Sequence, residues 1–391
     1  MNIPNLRFPD FSDDWQVSKL GDVTSKIGSG STPRGGEEVY TSDGILFIRS
    51  QNVKRNILDL TDSTFIPEEV HFQMSGSEVK SNDVLLNITG ASIGRSCVVP
   101  SSVITGNVNQ HVCIVRTGRH LEPNFLQPFL ASRRGQKLIY QGQTGSGREG
   151  LNFQSIRSFK LSLPTKPEQQ KIAAFLTAVD NKIEQLSKKQ ALLGEYKKGL
   201  TQQIFSQAIR FKADDGSDFP DWKEKKLGGV GRIRKGSQLN KSELTDTGDY
   251  PAINGGINPS GYTDKWNTGK NTITISEGGN SCGYINFITS KFWSGGHCYS
   301  IEELKGDVLN RFLFQYLKFN EHLIMRLRVG SGLPNIQKGE INNFKVNLPS
   351  LEEQTKIANL LSSIDSKIEQ VGKQLRESKQ FKKALLQQMF V

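Results

Sequence analysis

Two sets of side chains in this 391-residue sequence have the types and spacing for chemistry. Asp180 and Glu184 stand one helical turn apart, and Asp365 and Glu369 repeat the spacing. Paired carboxylates serve in acid–base catalysis. Here they flank Lys182 and Lys367, which reads as a solvated charge face. Cys97, His111 and Cys113 are echoed by Cys282, His297 and Cys298. Structural zinc sites use short paired spacings such as CxxC, and none occurs in this sequence. The four cysteines read instead as small buried hydrophobes.

Other catalytic signatures are absent from the sequence. TGKN at 268–271 lacks the upstream glycine and the Ser/Thr of a phosphate-binding loop. There is no HExxH, and Asn258-Pro259-Ser260 is not the NPP-aromatic stretch of amino-methyltransferases. Asp221-Trp222-Lys223-Glu224-Lys225 only faintly echoes the carboxylate–lysine cluster of a nuclease. The expectation is a non-catalytic chain with no metal or cofactor of its own.

Composition points to binding. A net charge of +11 and a pI near 9.3 suit a polyanionic partner. Hydrophobic residues make up 35% and no run approaches 18 apolar residues, so no membrane span is expected. The start, MNIPNLRFPDF, lacks the layout of a signal peptide, which predicts a cytoplasmic protein.

Glycine-rich loops at 27–36, 142–150, 254–261 and 277–280 would let backbone amides approach phosphates. Arg, Lys, Asn and Gln near them can reach phosphates or base edges. In the first half these are Arg34, Arg49, Gln51, Asn52, Arg95, Asn109, Gln110, Arg133, Arg134 and Arg148. In the second they are Arg232, Arg234, Lys235, Asn254, Lys265, Asn280, Arg326 and Arg328. The set is enriched in nucleic-acid-binding types, whatever each member does alone. No aromatic stacking pattern favours RNA.

The elements that position these residues come from an internal repeat. Residues 163–205 align with 348–390 at a shift of 185 without gaps, with 20 identities in 43 positions. Cys97 and Cys282, and Cys113 and Cys298, have the same separation. At the fronts, Asp14-Trp15 with Leu20-Gly21 matches Asp221-Trp222 with Leu227-Gly228 at a shift of 207. The difference places 22 extra residues of the first half between about Val23 and Ile88. The chain is one unit written twice, in the order globule, helix, globule, helix.

Both repeated tails carry a heptad seam. In the first it is Ile172, Leu176, Val179, Ile183, Leu186, Gln190, Leu193, Lys197, Leu200 and Ile204. In the second it is Ile357, Leu361, Ile364, Ile368, Val371, Leu375, Ser378, Lys382, Leu385 and Met389. Pro164, Pro167 and Pro349 mark the starts, with Thr165 and Ser350 as candidate caps. Glu168 and Glu353 sit in the first turn, where the helix dipole favours an acid. Helix pairing is predicted through Ile172, Leu176, Val179, Ile183 and Leu186 with Ile357, Leu361, Ile364, Ile368 and Val371.

The predicted fold is α/β (α+β). Two irregular globules with curved sheets, not doubly wound ones, are separated by two long antiparallel coiled-coil helices with pseudo-two-fold symmetry. The divisions expected are 1–162, 163–208, 209–347 and 348–391. Strands are expected near residues 44–49, 83–89, 112–116, 271–276 and 282–288. Shorter helices are expected at 123–138 and 307–328.

At this point the residues carry a family resemblance. LPTKPEQQKIAAFLTAVDNKIEQ and LPSLEEQTKIANLLSSIDSKIEQ resemble the helical-region starts of specificity subunits of Type I restriction–modification enzymes. DWQVSKLGDV at 14–23 and the stretch at 253–285 resemble their target-recognition domains. The resemblance implies a sequence-specific binder of double-stranded DNA with two target-recognition domains, each reading half of a bipartite site. It implies that the helices set the gap and dock two modification (methyltransferase) subunits. S-adenosylmethionine, ATP and magnesium would belong to those subunits and to ATP-driven restriction subunits that can join. The family has no fixed base-contact motif, so no contact residue is carried over.

Overall fold

The computed structural model describes residues 4–144, 150–330, 332 and 334–390. It divides into two compact units, residues 1–187 with 372–391, and residues 188–371.

In the first unit a four-stranded antiparallel sheet has the order Thr24–Ser29, Val112–Thr117, Val84–Asn87, Ser96–Val98. A second sheet joins Phe65–Ile66, Ile45–Ile48, Thr105–Val108 and Glu78–Lys80, with a parallel pair at its centre. Gln16–Lys19 pairs with Lys160–Leu163. The second unit repeats the plan. Arg232–Lys235, Cys298–Glu302, Thr272–Ser276 and Ile285–Ile288 form the four-stranded sheet. Gly261–Thr263, Tyr250–Ile253 and Trp293–Ser294 form the smaller one, and Lys223–Lys226 pairs with Lys345–Leu348.

Each expected shorter helix is broken in two. Pro123–Ala131 is followed by Arg133–Gln141, and Asn310–Phe319 by Glu321–Met325. At the first break Ser132 caps the new helix by accepting from the Gly135 amide at 3.2 Å. Gly135 also packs so closely that a Cβ would lie 2.2 Å from the Phe129 carbonyl oxygen.

The ladders show where the two halves correspond. Gln16 faces Leu163 as Lys223 faces Leu348, an offset of 207 on the first strand. The Asn87 amide donates to Arg95 O as Ser276 donates to Tyr284 O, an offset of 189. Ile88 donates to His111 O as Glu277 donates to His297 O, which makes the histidines equivalent at 186. Thr89 bridges Gly150 as Gly278 bridges Asn335, returning to 185. The surplus of the first half therefore lies mostly, not wholly, before Val84. The cysteine spacing also proves a coincidence. Cys97 pairs with Leu85 on a strand, whereas Cys282 sits in the turn before Ile285–Ile288. Cys113 faces Leu86 while Cys298 faces Ser276, one ladder step apart in equivalent positions.

The long helices are Lys166–Phe205 and Leu351–Gln388. Ser350 caps the second, accepting from the Glu353 amide at 3.3 Å. All ten seam positions in each helix are buried or half-buried. In the first unit Ile172 and Leu176 share a core with Leu385, Met389 and Phe390. In the second, Ile357 and Leu361 share one with Ile204 and Phe205. Early turns of one helix thus meet late turns of the other, which is antiparallel packing, and both also cover their globule.

The seam lysines carry a correction to the sequence reading. Lys382 pairs with Asp180 in the first unit, and Lys197 with Asp365 at 2.6 Å in the second. Shifting either pair by 185 gives the other. Asp180 and Asp365 therefore serve the helix pairing instead of a solvated face, because a lysine on the seam needs a nearby anion. Glu184 and Glu369 remain exposed.

Both helix starts grip their globules through neighbouring Glu and Gln side chains, all four almost wholly buried. Glu168 accepts from Arg7 at 2.8 Å and from Trp15 Nε1 at 3.3 Å. Glu353 does the same with Arg210 and Trp222. Gln169 accepts from the Glu122 amide and donates to the carbonyls of His120 and Pro164. Gln354 accepts from Leu309 and donates to Asp307 and Pro349. Three of the four bonds an amide side chain can make are used in each case.

Candidate nucleic-acid interface

The central strands Val84–Asn87 and Thr272–Ser276 both run into a loop built on two left-handed glycines. These are Gly90 and Gly94, φ 68° and 82°, and Gly279 and Gly283, φ 74° and 86°. Glycine reaches that conformation without a Cβ penalty. The shared geometry fixes the edge of each sheet where polar side chains gather.

In the first unit the contacts around the histidine at that edge join hydroxyl, amide and imidazole groups. His111 Nδ1 lies 2.6 Å from Thr89 Oγ1, and its Nε2 lies 3.2 Å from Gln110 Nε2. Gln110 Oε1 accepts from Thr32 at 2.9 Å, and Asn109 Oδ1 accepts from the His111 amide. In the second unit the edge is charged. His297 Nδ1 stands 3.5 Å from Glu277 Oε2, within ion-pair reach but not hydrogen-bonded. Glu277 Oε1 accepts from Lys235 at 2.6 Å and from the Tyr299 hydroxyl at 2.9 Å. Asn254 Oδ1 accepts from the His297 amide at 3.2 Å. Burial first, and the Glu277 carboxylate second, raise the Tyr299 pKa, so the hydroxyl stays a donor. Imidazole, amide and carboxylate groups in these positions present mixed donors and acceptors, the chemistry needed to read base edges.

The structure brings Asn109 and Gln110 together around His111, and Lys235 and Asn254 around His297. Asn280 lies exposed in the loop beside Glu277, and Arg34 is exposed two residues from Thr32. Arg133 is exposed and Arg134 half-buried on the helix Arg133–Gln141. Arg326 and Arg328 are exposed beyond Glu321–Met325. Arg95 lines a pocket of about 310 Å³. Arg148 lies outside the described residues.

The remaining candidates are occupied within the fold. Asn52 is buried and donates to the carbonyls of Asp59 and Asp62. Gln51 donates to Asp62 at 2.8 Å, and Arg49 sits 3.9 Å from the same carboxylate. Together these three close the loop at 49–62. Arg234 holds Glu302, the Asn267 carbonyl and Thr268. Arg232 pairs with Glu303 and Lys265 with Glu243, both at the surface.

Sequence reasoning missed His111 and His297, weighing them only with the cysteines as metal ligands. Their separation of 186 was a usable signal, but the cysteine spacing of 185 masked it. Among the described residues no group of three or more His, Cys, Asp or Glu is arranged to hold a metal ion. No helix among them is long and apolar enough to cross a membrane.

The sequence matches the family described as Type I restriction modification DNA specificity domain twice, over residues 12–193 and 220–377. The chain belongs to that family. It is 24% identical, over 98% of its length and 95% of the relative's, to the putative type I restriction enzyme MjaX specificity subunit of Methanocaldococcus jannaschii. It is 31% identical to the putative type I specificity subunit S.MpnORF638P of Mycoplasma pneumoniae, over 44% of this chain and 46% of that protein. The fold is similar to the crystal structure of a Type-I restriction-modification system S subunit from M. genitalium, with a TM-score of 0.70 at 18% identity. That likeness covers 100% of this chain and 99% of the other.

Proposed function

We propose that this chain is the non-catalytic, DNA-reading subunit of a Type I restriction–modification complex, and that each unit reads one half of a bipartite target. One observation carries the reading. The two units keep the same ladders, loop glycines and helix clamps, yet differ in chemistry at the same edge: Thr89, His111 and Gln110 against Glu277, His297 and Lys235. A conserved scaffold with divergent polar edges suits two readers of different sequences.

In this reading phosphate contacts supply salt-dependent affinity and edge contacts supply choice. The paired helices set the gap and dock two modification subunits. Those subunits bring S-adenosylmethionine and rotate the target adenine out of the stack. ATP and magnesium enter with restriction subunits. The functional divisions proposed are residues 1–162, 163–208, 209–347 and 348–391.

Co-expression with the modification subunit, followed by mapping of methylated adenines, tests this. A split, asymmetric motif is expected. Exchanging residues 209–347 for those of a relative should change one half of the motif only. A contiguous motif, or a change in both halves, refutes the reading.

A further inference from the structure

We propose that the pocket formed by Lys54, Arg55, Arg95 and Gln136 in the first unit is a phosphodiester-binding site that the second unit does not share. The inference rests on the DNA-reading function and assigns this pocket a sequence-independent role within it.

Three cations line one pocket of about 310 Å³, together with Ala91, Ile93 and Gly94. None of the three has a carboxylate within 4 Å among the described residues. Asp59 feels the charge of Lys54, but its carboxylate is tied to the hydroxyl and amide of Thr61. Like charges gathered without a counterion disfavour the empty site and favour an anion in it.

The pocket is held in shape from behind. Asn56, in the left-handed region at φ 67°, donates its amide to the Ser96 carbonyl at 2.9 Å. Its side-chain oxygen accepts from the buried Gln127 at 2.7 Å. These contacts fix Lys54 and Arg55 beside Arg95. On the other wall Gln136 donates to the carbonyls of Gly94 and Leu130. A Cβ on Gly94 would sit 2.9 Å from Gln136 Oε1, and the left-handed backbone at φ 82° favours glycine there. The backbone that carries the cations is thus set before an anion arrives, and only the exposed Lys54 and Arg55 side chains have still to order around it.

The second unit replaces this chemistry. At the ladder offset of 189, Arg95 corresponds to Tyr284 and Gly94 to Gly283. Gly283 packs against Met325, which stands where Gln136 stands. Lys318 covers the Tyr284 ring at 3.9 Å and is itself paired with Glu321. Lys54 and Arg55 belong to the stretch in which the first half is longer. One half therefore carries an anion pocket, whereas the other has a tyrosine at the Arg95 position, covered by a lysine that already holds a carboxylate.

The test is DNA binding by the complex with its modification subunits, across a salt series. The variant is Lys54→Gln with Arg55→Gln and Arg95→Gln, with Lys54→Gln/Arg55→Gln alone as a second version confined to exposed side chains. The slope of log affinity against log salt should become shallower by roughly one to two. Affinity should fall about equally for specific and unrelated duplexes, and the methylated motif should stay the same. Unchanged affinity and slope overturn the proposal while leaving the DNA-reading function intact. An altered motif overturns it too, because a phosphate contact carries no base identity. A wild-type complex without sequence preference removes the underlying reading.

Discussion

At the scale of single residues, buried acids hold each globule to its helix. Glu168 and Glu353 are 0% exposed, whereas Arg7 and Arg210 keep some contact with water. Stranding the carboxylate should therefore cost more than removing it. Arg210→Ala is expected to destabilise by about 3 kcal/mol, and Glu353→Gln by roughly half that, since the amide still accepts from Trp222. Urea unfolding of the two variants checks the order; the reverse order refutes the account. The sequence showed Glu168 and Glu353 only as first-turn acids. Their partners lie more than 130 residues away, and Arg7 stands 8 residues before Trp15 but Arg210 stands 12 before Trp222, so the clamp was not legible. The cysteines were legible as buried hydrophobes, and all four are buried. Burial pushes Cys97 and Cys113 up to about 12 and Cys298 to about 11, from an ordinary value of 9. Below pH 9 both folded and unfolded chains keep the thiol proton, so this stability is fully present. Above pH 9 the unfolded chain ionises first, and stability falls as pH rises towards the folded values. Iodoacetamide at pH 8 should leave these three thiols unmodified until urea unfolds the chain. Rapid alkylation of the native protein would contradict the buried placement.

At the scale of elements, the heptad pattern was the most legible feature, because a seam writes its period directly into the sequence. The polar seam positions were the exception. Periodicity marks Lys197 and Lys382 as seam residues but cannot show that Asp365 and Asp180 answer them from the facing helix. Sheet edges were less legible still, since ladder pairing joins residues far apart in sequence and tolerates small insertions. The two lysine pairs offer a symmetric test. Asp180 is 37% exposed and Asp365 42%, so solvent screens both pairs. Double-mutant cycles with Asp180→Asn and Lys382→Gln, and with Asp365→Asn and Lys197→Gln, should each give a coupling of about 0.5–1 kcal/mol. Denaturant unfolding supplies the four stabilities in each cycle. A coupling near zero would show that these lysines do not depend on their acids.

At the scale of the whole molecule, both long helices run through both compact units, and each unit holds one of the equivalent lysine pairs. This changes how the spacer proposal should be tested. Four residues added to one helix alone, between Ala191 and Lys198, would rotate and shift one seam against the other and break the matched pairs. Seven residues added to both, after Lys188 and after Lys373, keep the seam facing its partner, because seven residues make nearly two full turns. The helices then lengthen by roughly 10 Å. A duplex rises about 34 Å over 10–10.5 base pairs, so the preferred gap in the target should widen by about three base pairs. Both half-sequences should stay as they were, since no edge residue has moved within its unit. Methylation mapping of the doubly extended subunit reads gap and half-sequences together. A widened gap with unchanged halves supports the paired helices as the spacer. An unchanged gap, or altered halves, places the spacing elsewhere in the complex.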